Sequence, residues 1–461
     1  MALLPMVASA DDSGNCGELG DNVTWSYVES THTLTISGSG EMGDYGYCPD
    51  DDINYFSDTP WSKYNDKIQK VVIESGVTTV GSAAFRNCIS LKTVTLPSSV
   101  KYIKPSAFDG CSSLNSINLP NGLEIIGFNA FYGCNSLSSI TIPSSVTSIQ
   151  VSKYYNAFSF CGGLESIVVE SGNSYYDSRN NCNAIIYKYT NTLIVGCKNT
   201  IIPNDVPTIG LGAFRGRANL TSMTIPNGVT TIDKYAFSEC TNLSSITIPN
   251  TVSSIAGFAF LECTGLTSVT IEGNVFGISD LAFSRNSKLK DMYFTGLIGN
   301  TFTIGSQAFW ADDDDPGFSN VTAHVPAAFL AEYPYVFFSN GNSNFGFKDL
   351  KTLDGSSGIP KCEKPVISFA NGKLSFTCAT PDVEFHWTIT SANGENGSGI
   401  SPDVSPSFKV SVYAAKTGCV NSDIETRVLD CNTGGLKGDV DGNGTVNAAD
   451  HVKLSDIIMG K

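Results

Sequence analysis

The chain has 461 residues, more than one ordinary compact core accommodates, so several domains or a repeat array are expected. Its formal net charge of -16, with Lys+Arg 28 against Asp+Glu 44, repels phosphate backbones and sets nucleic acid aside as a partner. Hydrophobic content of 41% excludes global disorder, while charged content of only 16% leaves a surface of Ser, Thr, Asn and Gly that suits an exported protein.

Residues 1–10 read MALLPMVASA, a short apolar run ending in Ala8-Ser9-Ala10. This is the small-residue pattern of a signal-peptidase site, and the segment is read as a signal-peptide remnant that lacks the basic start. No stretch approaches the roughly 20 apolar residues of a membrane span, so the expected location is secreted, periplasmic or cell-surface, with no transmembrane segment. Residues 11–70 contain two alternating stretches, 23–27 and 34–37, expected as strands of an N-terminal cap. A solenoid needs a polar-faced cap at each end.

Residues 71–353 carry the strongest signal. The dipeptide Ala-Phe recurs with its Phe at 85, 108, 131, 158, 214, 237, 260, 283 and 309. Six residues after each Phe from 85 to 283 stands a Leu: Leu91, Leu114, Leu137, Leu164, Leu220, Leu243, Leu266 and Leu289. A period of 23 residues dominates, the mark of a stacked-repeat protein. Within a unit, Leu-x-x-Ile-x-Leu predicts a short strand with three inward apolar side chains, ended by Pro, as in residues 114–120. A second short strand follows, as in residues 145–149, and Gly-x-x-Ala-Phe turns the chain back. One unit cannot bury its own apolar stripe, so stability comes from contacts between neighbours.

Three residues after most of these Phe comes Cys, at 88, 111, 134, 161, 240 and 263; Arg217 and Asn286 take the place in two units. The expected arrangement is a ladder of buried thiols rather than a metal or redox array, because free Cys packs as a small hydrophobe. The 56-residue gap between Phe158 and Phe214 holds an insertion, residues 170–200, expected to contain a β-hairpin around Thr190-Asn191. Cys182 and Cys197 in it are either bridged across the hairpin or buried as thiols.

The motif Ile-Pro-Asn-Gly-Val-Thr-Thr-Ile-Asp-Lys-Tyr-Ala-Phe-Ser-Glu-Cys-Thr-Asn-Leu-Ser-Ser-Ile-Thr, residues 225–247, resembles the BspA-like leucine-rich repeat. The resemblance covers roughly residues 71–326. It implies a mainly β, curved solenoid acting in adhesion or surface recognition, without catalytic residues. The outward strand positions Asn115, Asn118, Ser138, Thr141, Thr224, Ser244, Thr247, Thr267 and Thr270 are the candidate binding surface. They are small, neutral and mostly hydroxylated, which predicts weak or multivalent contact with an extracellular protein or glycan.

A C-terminal cap is expected from Ala323 to Leu353, followed by a Gly/Ser linker at 354–361. Residues 362–432 alternate in short strands and suggest a small β-sandwich, with Cys362, Cys378, Cys419 and Cys431 available for one or two disulfides. Residues 433–461 carry a calcium-loop pattern, with Asp439, Asp441, Asn443, the Thr445 carbonyl and Asp450 as ligands and Gly444 at the sharp turn. Residues 448–460 read as a helix, giving an EF-hand-like loop-helix that resembles one repeat of a type I dockerin. A dockerin carries two repeats and this segment has one, so a cohesin-like partner is doubtful while calcium as a cofactor is not. No HExxH, GxSxG or phosphate-loop motif is present, and no enzyme activity is expected. The expected function is surface binding or adhesion; the alternative is a non-catalytic part of a glycan-handling assembly docked through the C-terminal module.

Overall fold

The computed structural model describes residues 10–46, 59–273, 277–296, 303–305, 307–309, 321–326, 349–353, 364–370, 373–379, 384–391, 407–415 and 425–430. They belong to two compact units, one formed by residues 1–325 and 340–349, the other by 326–339 and 350–461. Among the described residues there are strands, turns and three short 3-10 helices but no α-helix.

In the first unit the chain opens with an antiparallel meander, Asp12–Gly17, Gly20–Val28 and Thr33–Gly38. The last of these pairs in parallel with Lys70–Ile73, and the repeats continue through Thr93–Thr95 and Ser116–Ile117. The same line of strands runs through Ser139–Ile142 and Ser166–Val169, then resumes with Ser245–Ile248, Ser268–Ile271, Asp291–Phe294 and Thr322–Val325. The second short strand of each repeat builds another parallel sheet, for example Tyr102–Ile103, Ile125–Ile126 and Ser148–Ile149. Pairing is in register at the repeat period, Ile246 with Val269 and Thr247 with Thr270. Alternation therefore sends Ile246, Val269 and Met292 inward and Thr247, Thr270 and Tyr293 outward; Val168, opposite Thr141, is a Val that alternation leaves exposed.

The turn between them supplies a third ladder. The Phe85 amide donates to the Ala107 carbonyl at 2.8 Å, Phe108 to Ala130 at 2.8 Å and Phe237 to Ala259 at 2.8 Å. Seven of the turns have two left-handed positions, two residues before and two after the Phe, such as Ser106 and Gly110, or Tyr235 and Glu239; at Phe158 only the second, Phe160, is left-handed. The Gly that opens the motif has a different role. A Cβ on Gly127 would lie 2.5 Å from the Pro105 nitrogen, so it is small because the preceding repeat's backbone passes there.

The Phe rings stack face to face down the interior. Centroid spacings are 5.4, 5.5 and 5.2 Å from Phe85 to Phe158, and 4.9, 5.2 and 4.9 Å from Phe214 to Phe283. Trp61 is the first rung, 5.6 Å from Phe85 and tied by its indole N–H to the Ala84 carbonyl at 3.0 Å. It lies outside the Ala-Phe pattern, so the repeat count alone passes over it.

The six ladder cysteines are free and buried, as expected, and Cys182 and Cys197 are also free buried thiols. Their role exceeds packing. Each Sγ from Cys111 onward donates to the carbonyl of the Phe one rung back: Cys111 to Phe85 at 3.0 Å, Cys134 to Phe108 at 3.3 Å, Cys161 to Phe131 at 3.0 Å, Cys240 to Phe214 at 3.1 Å and Cys263 to Phe237 at 3.0 Å. The two substitutions preserve the donor. Asn286 Nδ2 reaches the Phe260 carbonyl at 3.0 Å, and Arg217 Nη1 reaches the Phe158 carbonyl at 2.8 Å. Arg217 also donates from Nε to the Gly196 carbonyl at 2.8 Å, and so bridges the insertion where the regular spacing breaks. The ladder position therefore selects a buried hydrogen-bond donor.

The insertion forms the expected hairpin, Ala184–Tyr187 antiparallel to Thr192–Gly196, with Tyr176–Asp177 added at its edge. Its second strand pairs in parallel with Thr208–Ile209 and so feeds the second sheet. In the other unit, Val366–Ala370 pairs antiparallel with Lys373–Thr377, and Ser407–Ala415 lies between Glu384–Ser391 and Glu425–Asp430 in a three-stranded antiparallel sheet. The expected calcium loop and helix at 436–461, the linker 354–361 and most of the expected C-terminal cap lie outside the described residues.

Candidate functional site

The outward face of the first sheet follows from strand alternation. Eight of the nine candidate residues, Asn115, Asn118, Ser138, Thr141, Thr224, Ser244, Thr247 and Thr267, are exposed; Thr270 is half-buried, with the larger Tyr293 beside it in register. The register brings Thr224, Thr247, Thr270, Tyr293 and His324 into one file across successive strands. The insertion separates this file from Asn118 and Thr141, so the nine residues form two groups along the solenoid.

Not all of these groups are equally available. The Thr267 hydroxyl donates to the Ser244 carbonyl at 3.0 Å and the Ser244 hydroxyl to the Thr221 carbonyl at 3.3 Å, so both are occupied in tying repeats together. Asn115 accepts from the Ser116 hydroxyl at 3.0 Å. Asn118, Ser138, Thr141, Thr224, Thr247 and Thr270 have no side-chain partner among the described residues. At the far end His324 stacks on Tyr293 at 4.5 Å and its Nε2 meets Asp291 Oδ1 at 2.8 Å, closing the polar file with an aromatic step.

Two aromatic groups went unnoticed in the sequence. On the turn side, the Arg215 guanidinium lies over Tyr155 at 4.2 Å and Tyr235 at 4.5 Å while pairing with Glu239 at 3.1 Å. On the insertion, the Tyr189 ring adjoins Tyr187 at 5.5 Å and Tyr175 at 6.0 Å. The Arg215 set is assembled by residues distant in sequence and the tyrosine set by the fold of the insertion, and no spacing rule marks either.

The repeat geometry agrees with a family comparison. Residues 62–186 and 184–313, more than half of the chain, match the BspA type leucine rich repeat region in six copies. The chain belongs to the BspA-type leucine-rich-repeat family. The match takes in Trp61's neighbour Ser62 and the rungs from Phe85 to Phe309, and it spans the insertion. Among solved structures, this BspA-type chain is similar to a leucine-rich repeat protein from Eubacterium ventriosum, with 26% identity over 64% of this chain and 84% of that one and a TM-score of 0.48. A leucine rich cell surface protein from Faecalibacterium prausnitzii shares 21% identity over 75% and 96%, with a TM-score of 0.40. The pneumococcal vaccine antigen PcpA shares 18% over 75% and 99%, with a TM-score of 0.41. No curated protein matches the chain. No helix among the described residues is long and apolar enough to cross a membrane.

Proposed function

We propose that this protein is an exported, non-enzymatic surface-binding or adhesion protein that engages an extracellular protein or glycan through the outward face of its repeat sheet. The observation that carries this reading is the in-register file of uncharged hydroxyls, Thr224, Thr247 and Thr270, repeated one strand apart on the outward face. Such a file offers many weak polar contacts at about 4.8 Å spacing and suits a repetitive or extended ligand, with affinity gained by multiplicity. The test is a glycan and host-protein array with the full chain and its Thr224→Glu/Thr247→Glu/Thr270→Glu variant. Thr224 and Thr247 are exposed and Thr270 half-buried, so the triple variant should keep the parent's circular dichroism spectrum while its stacked charges lower its stability. It should lose about tenfold or more in avidity by removing several contacts at once. Unchanged binding by the variant would remove the sheet face from consideration.

The strands at 366–430 are read as one small β-sandwich, and the tail as a single dockerin-like calcium repeat held by Asp439, Asp441, Asn443, the Thr445 carbonyl and Asp450. The support is spacing: oxygen groups at loop positions 1, 3, 5, 7 and 12 with Gly at 6 deliver what calcium takes. Calorimetry on the full chain should show one calcium site, abolished by Asp439→Ala with Asp450→Ala and without effect on the solenoid's melting temperature. No calcium heat at millimolar ion would end the cofactor assignment. The surface assembly alternative rests on that tail finding a docking partner.

A further inference from the structure

The insertion hairpin carries an aromatic surface that the repeat has no use for. Tyr189, at its tip, is 72% exposed and is the sole exposed aromatic side chain among the described ones. Its ring lies 5.5 Å from Tyr187 and 6.0 Å from Tyr175, tilted by 45° and 49°. Tyr175 and Tyr187 are half-buried against the core, so Tyr189 presents the open ring with two tilted aromatic neighbours at its edge. Tyr176, buried beneath, anchors it by accepting the Ile149 amide on its hydroxyl at 2.9 Å.

The hairpin tip is braced. Arg179 makes paired bonds to Asp177 at 2.9 Å each, reaches Asp205 at 2.6 Å and holds Asn191 in the turn at 3.1 Å. Lys188 donates its ammonium to the Asn173 carbonyl. The guanidinium is thus matched by two carboxylates, and the other polar side chains of the turn are neutral: the Thr190 and Thr192 hydroxyls, 2.8 Å apart, and the Asn191 amide. Insertions in a repeat array map to loops on one face, often the binding face, and a rigid exposed aromatic side chain gives contact area at low entropic cost.

We propose that Tyr175, Tyr187 and Tyr189 form a carbohydrate-binding platform for neutral sugar chains. A pyranose ring has an apolar C–H face that stacks on tyrosine and an equatorial rim of hydroxyls that bonds to neutral hydroxyl and amide groups. The matched local charge complements an uncharged ligand, and the chain's overall charge of -16 disfavours phosphorylated or acidic ones. The platform is separate from the outward sheet face, because the hairpin feeds the second sheet.

The test uses the full chain against immobilised xylohexaose, cellohexaose, maltohexaose and chitohexaose, with polygalacturonate as the acidic comparison, followed by calorimetry on any hit. At least one neutral oligomer should bind. Tyr189→Ala should weaken it about tenfold, and Tyr189→Phe should stay within about twofold because stacking persists. The Thr224→Glu/Thr247→Glu/Thr270→Glu variant should bind the same oligomer as well as the unmodified chain, which separates this site from the sheet face. Tyr189 is exposed, so the melting temperature of Tyr189→Ala should match that of the parent. Absence of binding to every neutral oligomer at millimolar concentration overturns the proposal. So does equal binding by Tyr189→Ala, or binding of polygalacturonate in preference to every neutral oligomer.

Discussion

The solenoid should lose its stability steeply between pH 9 and pH 11. Burial pushes the ladder thiols up from 9.0: Cys161 to about 11 and Cys240 to about 12, with Cys88, Cys111, Cys134 and Cys263 also raised. In the unfolded chain these thiols ionise near 9, while in the folded state they keep their protons. The folded state therefore binds more protons across this window. Their stabilising contribution is complete below pH 9 and disappears as pH rises through the folded values. Each fully buried thiol then withdraws about 1.4 kcal/mol per pH unit, and six withdraw about 8 kcal/mol by pH 10, on the scale of a whole domain's stability. Urea midpoints followed by circular dichroism from pH 7 to 10.5 measure this directly. Cys134→Ser keeps a donor to the Phe108 carbonyl but does not titrate, so it should reduce the slope by one thiol's share. A midpoint flat from pH 8 to 10.5 would contradict the ladder.

Replacing one stacked ring should cost almost as much as the array can lose at a single site. Phe131→Ala removes a fully buried ring held between Phe108 at 5.5 Å and Phe158 at 5.2 Å, and Phe237→Ala removes one between Phe214 and Phe260. Lost burial and the cavity left behind amount to about 3–5 kcal/mol in each case. The neighbours' backbone is fixed by the turn ladder, which limits collapse into the gap and favours the upper end. Because each repeat rests on its neighbours, hydrogen exchange should rise first in the flanking repeats and only later at the ends. Thr141→Ala, on the outward face, serves as the control and should change stability by less than about 0.5 kcal/mol. A denaturation curve for Phe131→Ala that overlays the parent would refute the stacked register.

The BspA-type repeat was legible because it is written in one dimension. Ala-Phe, the Leu six residues on and the Cys three residues on all recur at the stacking period, and each repeat meets only its neighbours, so sequence spacing translates directly into spatial register. Strand alternation then fixed which residues face outward, and Thr224, Thr247 and Thr270 stand in file for that reason. The hairpin of residues 184–196 was legible from its alternation and its Thr190-Asn191 turn.

What the periodicity could not carry, the tertiary structure decided. Trp61 continues the Phe stack without sharing the motif, since the stack asks only for a flat apolar ring. Cys, Arg217 and Asn286 occupy the same rung because a buried carbonyl needs a donor, a requirement that composition hides and geometry exposes. Thr267 and Ser244 read as free hydroxyls in the sequence, but their spacing of one repeat lets them bond to the strand beside them. Tyr175, Tyr187 and Tyr189 come together only when the insertion folds back on itself, and Arg179 braces them through Asp205 from beyond the hairpin. Local patterns specify elements whose contacts repeat at a fixed interval; surfaces built from irregular, non-repeating contacts exist only once the chain has closed those loops.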